Sequence, residues 1–517
     1  MHVLITGISG AGKSSVGPLV AAKLGRPFVD LDKEIERKAG MLISEIFAQH
    51  GEDVFRTYER EALQDLSGWS DAVIALGAGA LQNDENCVIA SKLGDTVWLH
   101  VAAETAATRL KSVTDRPLLQ EDAGTKLKAM LEKRAPYYGR AQHIVDGQGD
   151  IESVAGRVVD AAARLERVVV VRSHRGAYPV RVFHAEPHEL ALAISAHAGE
   201  ARCVLICDRH VRERTELVAA ELAKRCLSLN VLLVDAGESL KQLHSLEAMG
   251  LALEQLQADR NTVLVAIGGG SLTDAVGFLA SCYRRGVRWI SVPTTLLGMV
   301  DSSLGGKTGV NLGHAKNLLG AFYPPVSVLS DTSWLDSLDA REIRSGVAEM
   351  LKVAATHDVV FFEELTRLAP SGVEAVAKAA AIKATVVSDD EFEHGLRKVL
   401  NFGHTFGHAF ESAGELKVLR HGEAIALGML AETEFAMERG EASEEVLAAL
   451  LFALQTLGLD ENWRRFATKA KHYVGNDKKR TARHVRLAIV PKLGQFAWLD
   501  AEVSDLEQFL EAEGARV

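Results

Sequence analysis

Short runs of aliphatic and β-branched residues recur along the first two thirds of the chain, each followed by a stretch of helical spacing. The run 2–6 (HVLIT) leads into a helix from Gly12 to about Gly25, and 72–77 (AVIALG) and 96–101 (TVWLHV) read as further buried strands. Such alternation predicts α/β layers built on a parallel sheet. A helical segment around 150–165 then ends, and RVVVVRSHRGAYPVRVF opens a fresh pair of strands, which places a boundary near Leu165–Glu166. The runs 201–208, 230–235, 262–270 and 288–295 follow, each with helical or loop sequence behind it, and predict a second α/β region. From about Asp339 the β-branched runs thin out and Ala, Glu, Leu and Lys dominate, which predicts a mostly helical third region to about Phe466. The expected divisions are 1–163, 166–338 and 339–517. The linker between the first two is short and not rich in Gly or Ser, so the halves are expected to pack rather than swing.

At 517 residues the chain exceeds what one hydrophobic core supports, in keeping with several domains. Hydrophobic residues at 47% and charged residues at 25% are ordinary for a globular protein. A net charge of −11 argues against nucleic acid or an anionic membrane as partner. Five cysteines, an odd number with no CxxC spacing, read as free thiols in a reducing compartment. The start MHVLITG has no basic segment and passes straight into a strand, unlike a signal peptide, and no apolar run reaches membrane-spanning length. A cytoplasmic protein is expected.

The first chemistry lies in Gly7-Ile-Ser-Gly-Ala-Gly12-Lys13-Ser14, which fits GxxxxGK[ST] between a strand and a helix. Glycines there let backbone N–H groups wrap phosphates, and the helix N-terminus adds positive potential. Lys13 is expected to reach the β- and γ-phosphates and Ser14 to ligate Mg2+. Downstream, FVDLD supplies Asp30 and Asp32, GEDVFRTYE supplies Arg56 and Glu59, LGAGAL supplies Gly77 and Gly79, and DRPLL and KRAPYY supply Arg116 and Arg134. This set, over residues 1 to about 163, resembles shikimate kinase. The resemblance implies a P-loop NTPase-like fold that holds ATP–Mg2+ through Gly10, Gly12, Lys13, Ser14 and Ser15, with Asp30 helping to hold Mg2+. It further implies Asp32 as proton acceptor from the attacking hydroxyl, Arg56 and Arg134 on the shikimate carboxylate, and Gly77 and Gly79 against the ring. Arg116 is placed in a closing lid and Arg109 beside adenine. Two arginines suit a planar carboxylate, and a lid keeps water from the phosphoryl group. One departure is Ala78, where the family has glycine, and its methyl is expected to crowd the acceptor side.

The second chemistry gathers around 400–411, LNFGHTFGHAFE. His404 and His408 are four apart and share one helical face; spacing alone leaves open whether that face meets core, solvent or metal. AIGGGSLTD (266–274) is a glycine turn between strand and helix, and 293–311 (PTTLLGMVDSSLGGKTGVN) is a long loop of small and polar residues. KNLLGAF, SGVAEMLK and RHGEAIALGM complete the series. In this order, across 166–517, the motifs resemble 3-dehydroquinate synthase. The resemblance implies a Rossmann-like NAD domain followed by a helical metal domain, with Glu349, His404 and His421 holding Zn2+ or Co2+. One carboxylate and two imidazoles suit zinc with positions left for substrate. NAD is assigned to Asp208, Glu238, Lys241, Gly269, Gly270, Asp274, Thr294 and Thr295, with His210 standing where the family has asparagine. Substrate is assigned to Asp301, Lys307, Lys316, Asn317, Lys352, Lys383, Arg397, Asn401 and one of Lys478 and Lys479. Arg285 is expected from a neighbouring subunit of a homodimer formed through this half. Lys383 and Arg397 would take a carboxylate; Lys352, Asn317 and His408 would take a phosphate. Lys307, Asn401 and His408 are counted with the catalytic set.

Together the resemblances imply two separate steps of the route to aromatic amino acids. One is phosphorylation of shikimate; the other is cyclisation of 3-deoxy-D-arabino-heptulosonate 7-phosphate to 3-dehydroquinate with loss of phosphate. The chemical reason for a redox cofactor is that oxidation of the C5 hydroxyl acidifies the neighbouring C–H; the hydride then returns and NAD is not consumed. Competing readings are a polyol dehydrogenase with net NADH formation, a cyclase for a sugar phosphate lacking the carboxylate, and an N-terminal nucleotide-binding regulatory module.

Overall fold

The computed structural model describes residues 1–69, 71–111, 123–313, 315–415, 418–474 and 484–516. The chain divides into two compact units: Met1–Val168 with Glu186–Cys203 and Glu216–Leu229, and Val169–Ala185 with Val204–Thr215 and Asn230–Val517.

The first unit is built on a sheet of β1 (His2–Thr6), β2 (Phe28–Asp30), β3 (Val73–Ala75), β4 (Gly94–His100) and β5 (His143–Asp146) in the order β2-β3-β1-β4-β5. All four pairings are parallel. Residues alternate across a strand, so Val3 and Ile5 enter one core with Val97, Leu99 and Val158, while Leu4 enters another with Ile74, Leu31 and Leu63. Both faces are covered, which is why β1 reads as a continuous apolar run. Each such aliphatic side chain contributes about 1.5–3 kcal/mol by leaving water. The order reverses at β1, whose next element β2 lies two places away while β4 flanks its other side. A crevice at the carboxyl ends of the strands is the usual consequence, and the glycine loop leaves β1 there.

The second sheet contains β6 (Arg167–Ser173), β7 (Gly176–Phe183), β8 (Arg202–Asp208), β9 (Ser228–Val234), β10 (Val263–Gly268), β11 (Arg288–Pro293) and, after a hairpin, β14 (Ser327–Asp331). Its order is β6-β7-β14-β11-β10-β8-β9, with β7, β14, β11 and β10 parallel in turn. The hairpin is β12 (Lys307–Leu312) with β13 (Ala315–Phe322), antiparallel. The sequence reads its first strand as part of a loop because Gly309 and Gly320 interrupt the alternation. A Cβ at Gly309 would lie 2.8 Å from the Leu319 carbonyl oxygen, so the ribbon needs glycine to close.

Beyond β14 the chain is largely helical, through Ala340–His357, Val373–Asp389, His404–Ala413, His421–Glu438 and Glu444–Thr456. The helix His421–Glu438 is apolar on every side and sits buried among the others. A second hairpin, β15 (His484–Lys492) and β16 (Gln495–Glu502), follows the region read from sequence as helical and falls within the division 339–517.

Candidate functional site

In the first unit the loop from Gly7 to Gly12 joins β1 to the helix Lys13–Leu24. Gly10 and Gly12 have φ of 83° and 103°, a region side-chained residues avoid, and a Cβ at Gly10 would meet the Ala106 carbonyl at 2.6 Å. Lys13 folds over the loop and donates to the carbonyls of Gly7 at 2.8 Å and Ile8 at 3.2 Å. The Ser14 hydroxyl donates to Asp30 Oδ2 at 2.8 Å, so the two expected Mg2+ ligands already adjoin, with Ser15 in the next position of the helix. Arg109 donates to the carbonyls of Ala11 and Gly147 and lies along the loop.

The acceptor side assembles equally. Arg56 is ion-paired with Glu59 at 2.8 Å and Glu52 at 2.9 Å. Glu59 is almost wholly buried, and burial raises its carboxyl against the pull of Arg56. A Cβ at Gly77 would lie 2.9 Å from Asp32 Oδ1, and one at Gly79 would lie 2.8 Å from Arg56 Nη1. The backbone there comes close because it carries no side chains. Arg134 donates to the Ala78 carbonyl at 3.1 Å, and Tyr138 donates to the same oxygen at 2.5 Å. Ala78 thus holds Arg134 and Tyr138 through its carbonyl, a role its methyl does not affect. A cavity of about 350 Å³ opens between Arg56, Glu59, Gly79, Asn83, Lys133 and Tyr137. Arg116 lies outside the described residues.

In the second unit the dinucleotide-type turn is at the carboxyl ends of the strands. Gly269 caps the helix Gly270–Cys282, and a Cβ at Gly270 would lie 2.6 Å from Ser302 Oγ. Lys241 donates to Asp274 at 2.8 Å. Glu238 accepts from Asn311 at 2.6 Å, the Thr294 N–H donates to the Gly268 carbonyl, and Thr295 accepts from the Gly298 N–H. Asp208 accepts from both the backbone and the imidazole of His210, and that hydrogen bond raises the His210 pKa. Histidine at this position therefore stays attached to its neighbour, at the end of β8.

Three separated helices bring Glu349, His404 and His421 together. His404 Nε2 and His421 Nε2 lie 3.9 Å and 3.6 Å from Glu349 Oε1. Both histidines are the first residues of their helices, so a close helix crossing is what brings their rings near each other. Glycines make that crossing: a Cβ at Gly428 would sit 1.9 Å from the Gly403 carbonyl oxygen, and one at Gly422 would sit 2.0 Å from that of Ser345. Glu349 is buried, and neither of its oxygens accepts a directed hydrogen bond although Lys352 is ion-paired with Oε2. Oε1, buried with no hydrogen-bond partner of its own, is costly to leave so. Burial, with Lys352 and the neighbouring imidazoles, holds His404 well below the ordinary histidine range, so it is neutral, as a ligand must be. Its Nδ1 faces the Phe402 carbonyl at 3.3 Å, leaving Nε2 toward Glu349. Burial would depress His421, but Glu411, whose carboxylate lies 3.5 Å from its Nδ1, together with Glu349 and Asp301 outweighs this and raises it. A carboxylate behind a histidine orients it toward a metal. The ligand atoms of His404, His408 and His421 all lie within 4.8 Å of one another, so His408 adjoins the centre.

Several residues expected to meet substrate have charged or polar neighbours of their own. Lys383 donates to the Asp301 carbonyl at 2.8 Å and is ion-paired with its carboxylate. Burial pushes Lys383 down to about 8 against that attraction. Arg397 is buried and donates to the carbonyls of Gly305 and Glu391. Lys316 faces Glu411 at 3.3 Å. Two carboxylates went unread in the sequence. Glu393 accepts from Lys307 at 2.5 Å and from Asn401 at 3.4 Å, and Glu411 ties Lys316 to His421. The signal for each was its motif neighbour, Asp390-Glu391 before Glu393 and His408 before Glu411. Arg285 ends a turn after the helix Gly270–Cys282, roughly 18–20 Å along that helix from the glycine turn, and within this chain it is not drawn toward these residues. Lys478 and Lys479 lie outside the described residues.

The shikimate kinase family model matches residues 9–163; that of the 3-dehydroquinate synthase N-terminal part matches 231–345, and that of its C-terminal part matches 346–480. A 3-dehydroquinate synthase of Enterococcus faecalis is 36% identical over 304 residues, which are 57% of this chain and 85% of that one. The chain belongs to the 3-dehydroquinate synthase family, with a shikimate kinase domain ahead of it. A bifunctional shikimate kinase/3-dehydroquinate synthase of Thermotoga maritima is 28% identical over 519 residues, 99% of this chain and 100% of that one. Among solved structures, 2-epi-5-epi-valiolone synthase from Streptomyces hygroscopicus subsp. jinggangensis, with NAD+ and Zn2+ bound, matches with a TM-score of 0.56 and 30% identity, covering 66% of this chain and 97% of that one. The family's two-part architecture therefore corresponds to an α/β region followed by a helical one. No described helix is long and apolar enough to cross a membrane.

Proposed function

We propose that the first unit transfers phosphate from ATP to shikimate and that the second cyclises 3-deoxy-D-arabino-heptulosonate 7-phosphate to 3-dehydroquinate. In the first, Lys13 and the loop N–H groups of Gly10 and Gly12 hold the ATP phosphates, and Ser14 and Asp30 hold Mg2+. Arg56 and Arg134 fix the acceptor carboxylate, and Asp32 takes the proton of the attacking hydroxyl.

In the second, NAD lies between Asp208, Glu238, Lys241 and the Gly269–Gly270 turn, in an α/β domain over 166–338. A divalent cation, Zn2+ or Co2+, is held by Glu349, His404 and His421 in a helical domain over 339–517. When bound, the two supply a reversible hydride acceptor and a Lewis acid, which make the C–H beside the phosphate-bearing carbon acidic. Lys383 and Arg397 take the substrate carboxylate, while Lys352, Asn317 and His408 hold the phosphate as it departs. Glu393 holds Lys307 and Asn401 in register for the hydroxyl groups. We place the protein in the cytoplasm as a homodimer through this half, with Arg285 entering the partner's site.

The observation that carries the reading is the buried Glu349 carboxylate, whose Oε2 is ion-paired with Lys352 while its Oε1 has no hydrogen-bond partner and lies within 4 Å of two imidazoles. The test is phosphate release from the heptulosonate phosphate by purified protein, with and without NAD+ and a chelator. Release that needs both NAD+ and metal, with no net NADH, is the expected result. Net NADH would point to a polyol dehydrogenase, and equal turnover of a heptulose phosphate lacking the carboxylate would point to another cyclase.

A further inference from the structure

Asn311 belongs to none of the groups assigned above, yet it joins two of them. It lies near the end of β12 and is 4% exposed. Its Nδ2 donates to Glu238 Oε1 at 2.6 Å, and its Oδ1 accepts the backbone N–H of Asn317 at 2.8 Å. The register of β12 against β13 shifts between Val310 and Leu312, so an irregularity falls on this residue. Bulges of that kind re-aim a side chain. Asn317 has φ of 53°, a left-handed conformation that a side-chained residue adopts at a cost. The N–H that Asn311 holds is thus part of a backbone that would otherwise relax.

An amide is what this position requires. It presents a donor and an acceptor at once, one to a carboxylate and the other to an N–H. Aspartate would keep the acceptor and set a second carboxylate against Glu238; alanine would remove both hydrogen bonds and leave the exposed Glu238 and Asn317 without the buried amide that joins them.

Resting on the assignments of Glu238 to NAD and Asn317 to the substrate phosphate, we propose that Asn311 is a positioning residue that couples nucleotide binding to anion binding. A nucleotide that fixes Glu238 fixes the Asn311 amide, and the amide holds the Asn317 backbone in its anion-binding conformation. Coupling between two binding sites is reciprocal, and typical factors are about 5–150-fold. A residue that only supports the fold would weaken both affinities when removed and leave their ratio of coupling intact.

The test uses the full-length, zinc-loaded protein with ADP–Mg2+ saturating the first unit. The Kd for NAD+ is measured by calorimetry with and without saturating inorganic phosphate. In the native protein phosphate is expected to tighten NAD+ at least about fivefold. Asn311→Ala should bring that ratio below about twofold, and Asn311→Asp, which keeps the acceptor and loses the donor, should do the same. Glu238→Gln keeps an acceptor for the amide and should retain the ratio. Far-UV circular dichroism and shikimate phosphorylation report folding, and where the alanine variant does not fold the aspartate variant decides. A ratio unchanged in the Asn311 variants, or no coupling in the native protein, overturns the proposal. NAD+ affinity unaffected by Glu238→Ala would overturn it differently, by removing the assignment beneath it.

Discussion

Replacing Gly428 by alanine tests whether helix crossing sets the metal centre. The added methyl would fall 1.9 Å from the Gly403 carbonyl oxygen and 2.6 Å from the Gly407 nitrogen, both rigid backbone. That is about 1.5 Å short of the 3.4 Å at which ordinary van der Waals contact begins. The helices His404–Ala413 and His421–Glu438 must part by a comparable amount, and each starts with a proposed metal ligand. Productive site geometry tolerates about 0.5 Å. Overpacking of this kind costs roughly 1–3 kcal/mol of stability. Displacement of two of three ligands should weaken zinc by at least the 10–100-fold seen when supporting residues are lost. Competition against a chromophoric chelator reads the affinity, and phosphate release reads turnover. Shikimate phosphorylation should be unchanged. Gly156→Ala, whose methyl enters open space on the helix Ile151–Ala162, is the control and should be neutral or stabilising by up to about 1 kcal/mol. Native zinc affinity in Gly428→Ala would refute the reasoning.

Other outcomes follow from the same geometry. Lys13→Ala should abolish shikimate phosphorylation and leave heptulosonate phosphate turnover intact; loss of both in a folded protein would show the units depend on each other. Arg397→Ala removes a buried charge proposed to meet the carboxylate of the heptulosonate phosphate and should lower kcat/KM for that substrate by the equivalent of about 2–5 kcal/mol; an unchanged kcat/KM would reject its role. Lys383 titrates at about 8 in the fold rather than 10.5, pushed down by burial. Its charge is present at neutral pH and is lost as pH rises through about 8, so kcat/KM should fall on that limb, and Lys383→Arg should move the limb to higher pH. The same depression means the fold gains stability as pH climbs from about 8 toward 10.5, because the unfolded lysine still binds a proton there.

The parallel sheets were legible because buried strands such as 2–6 and 263–268 run apolar without interruption, and glycine turns follow them at once. The convergence of Glu349, His404 and His421 was legible through the motifs, not through periodicity, since His404 and His408 show the same spacing whether they meet solvent or zinc. What escaped reading were partners defined only in three dimensions. Glu393, Glu411 and Asn311 sit beside recognised residues, but nothing in their local sequence says that one carboxylate bridges Lys307 to Asn401 or that one amide bridges Glu238 to Asn317. The β12–β13 ribbon escaped because its glycines break the period that marks a strand. The β15–β16 hairpin lies beyond Phe466, where the sequence reading assigned no element.

The most direct measurement is bound zinc per chain in four purified variants, Glu349→Ala, His404→Ala, His421→Ala and His408→Ala, loaded and dialysed identically. The account predicts that the first three lose the ion and that His408→Ala keeps it while losing phosphate release. Retention of zinc by the first three, or its loss from His408→Ala to the same degree, would contradict the assignment.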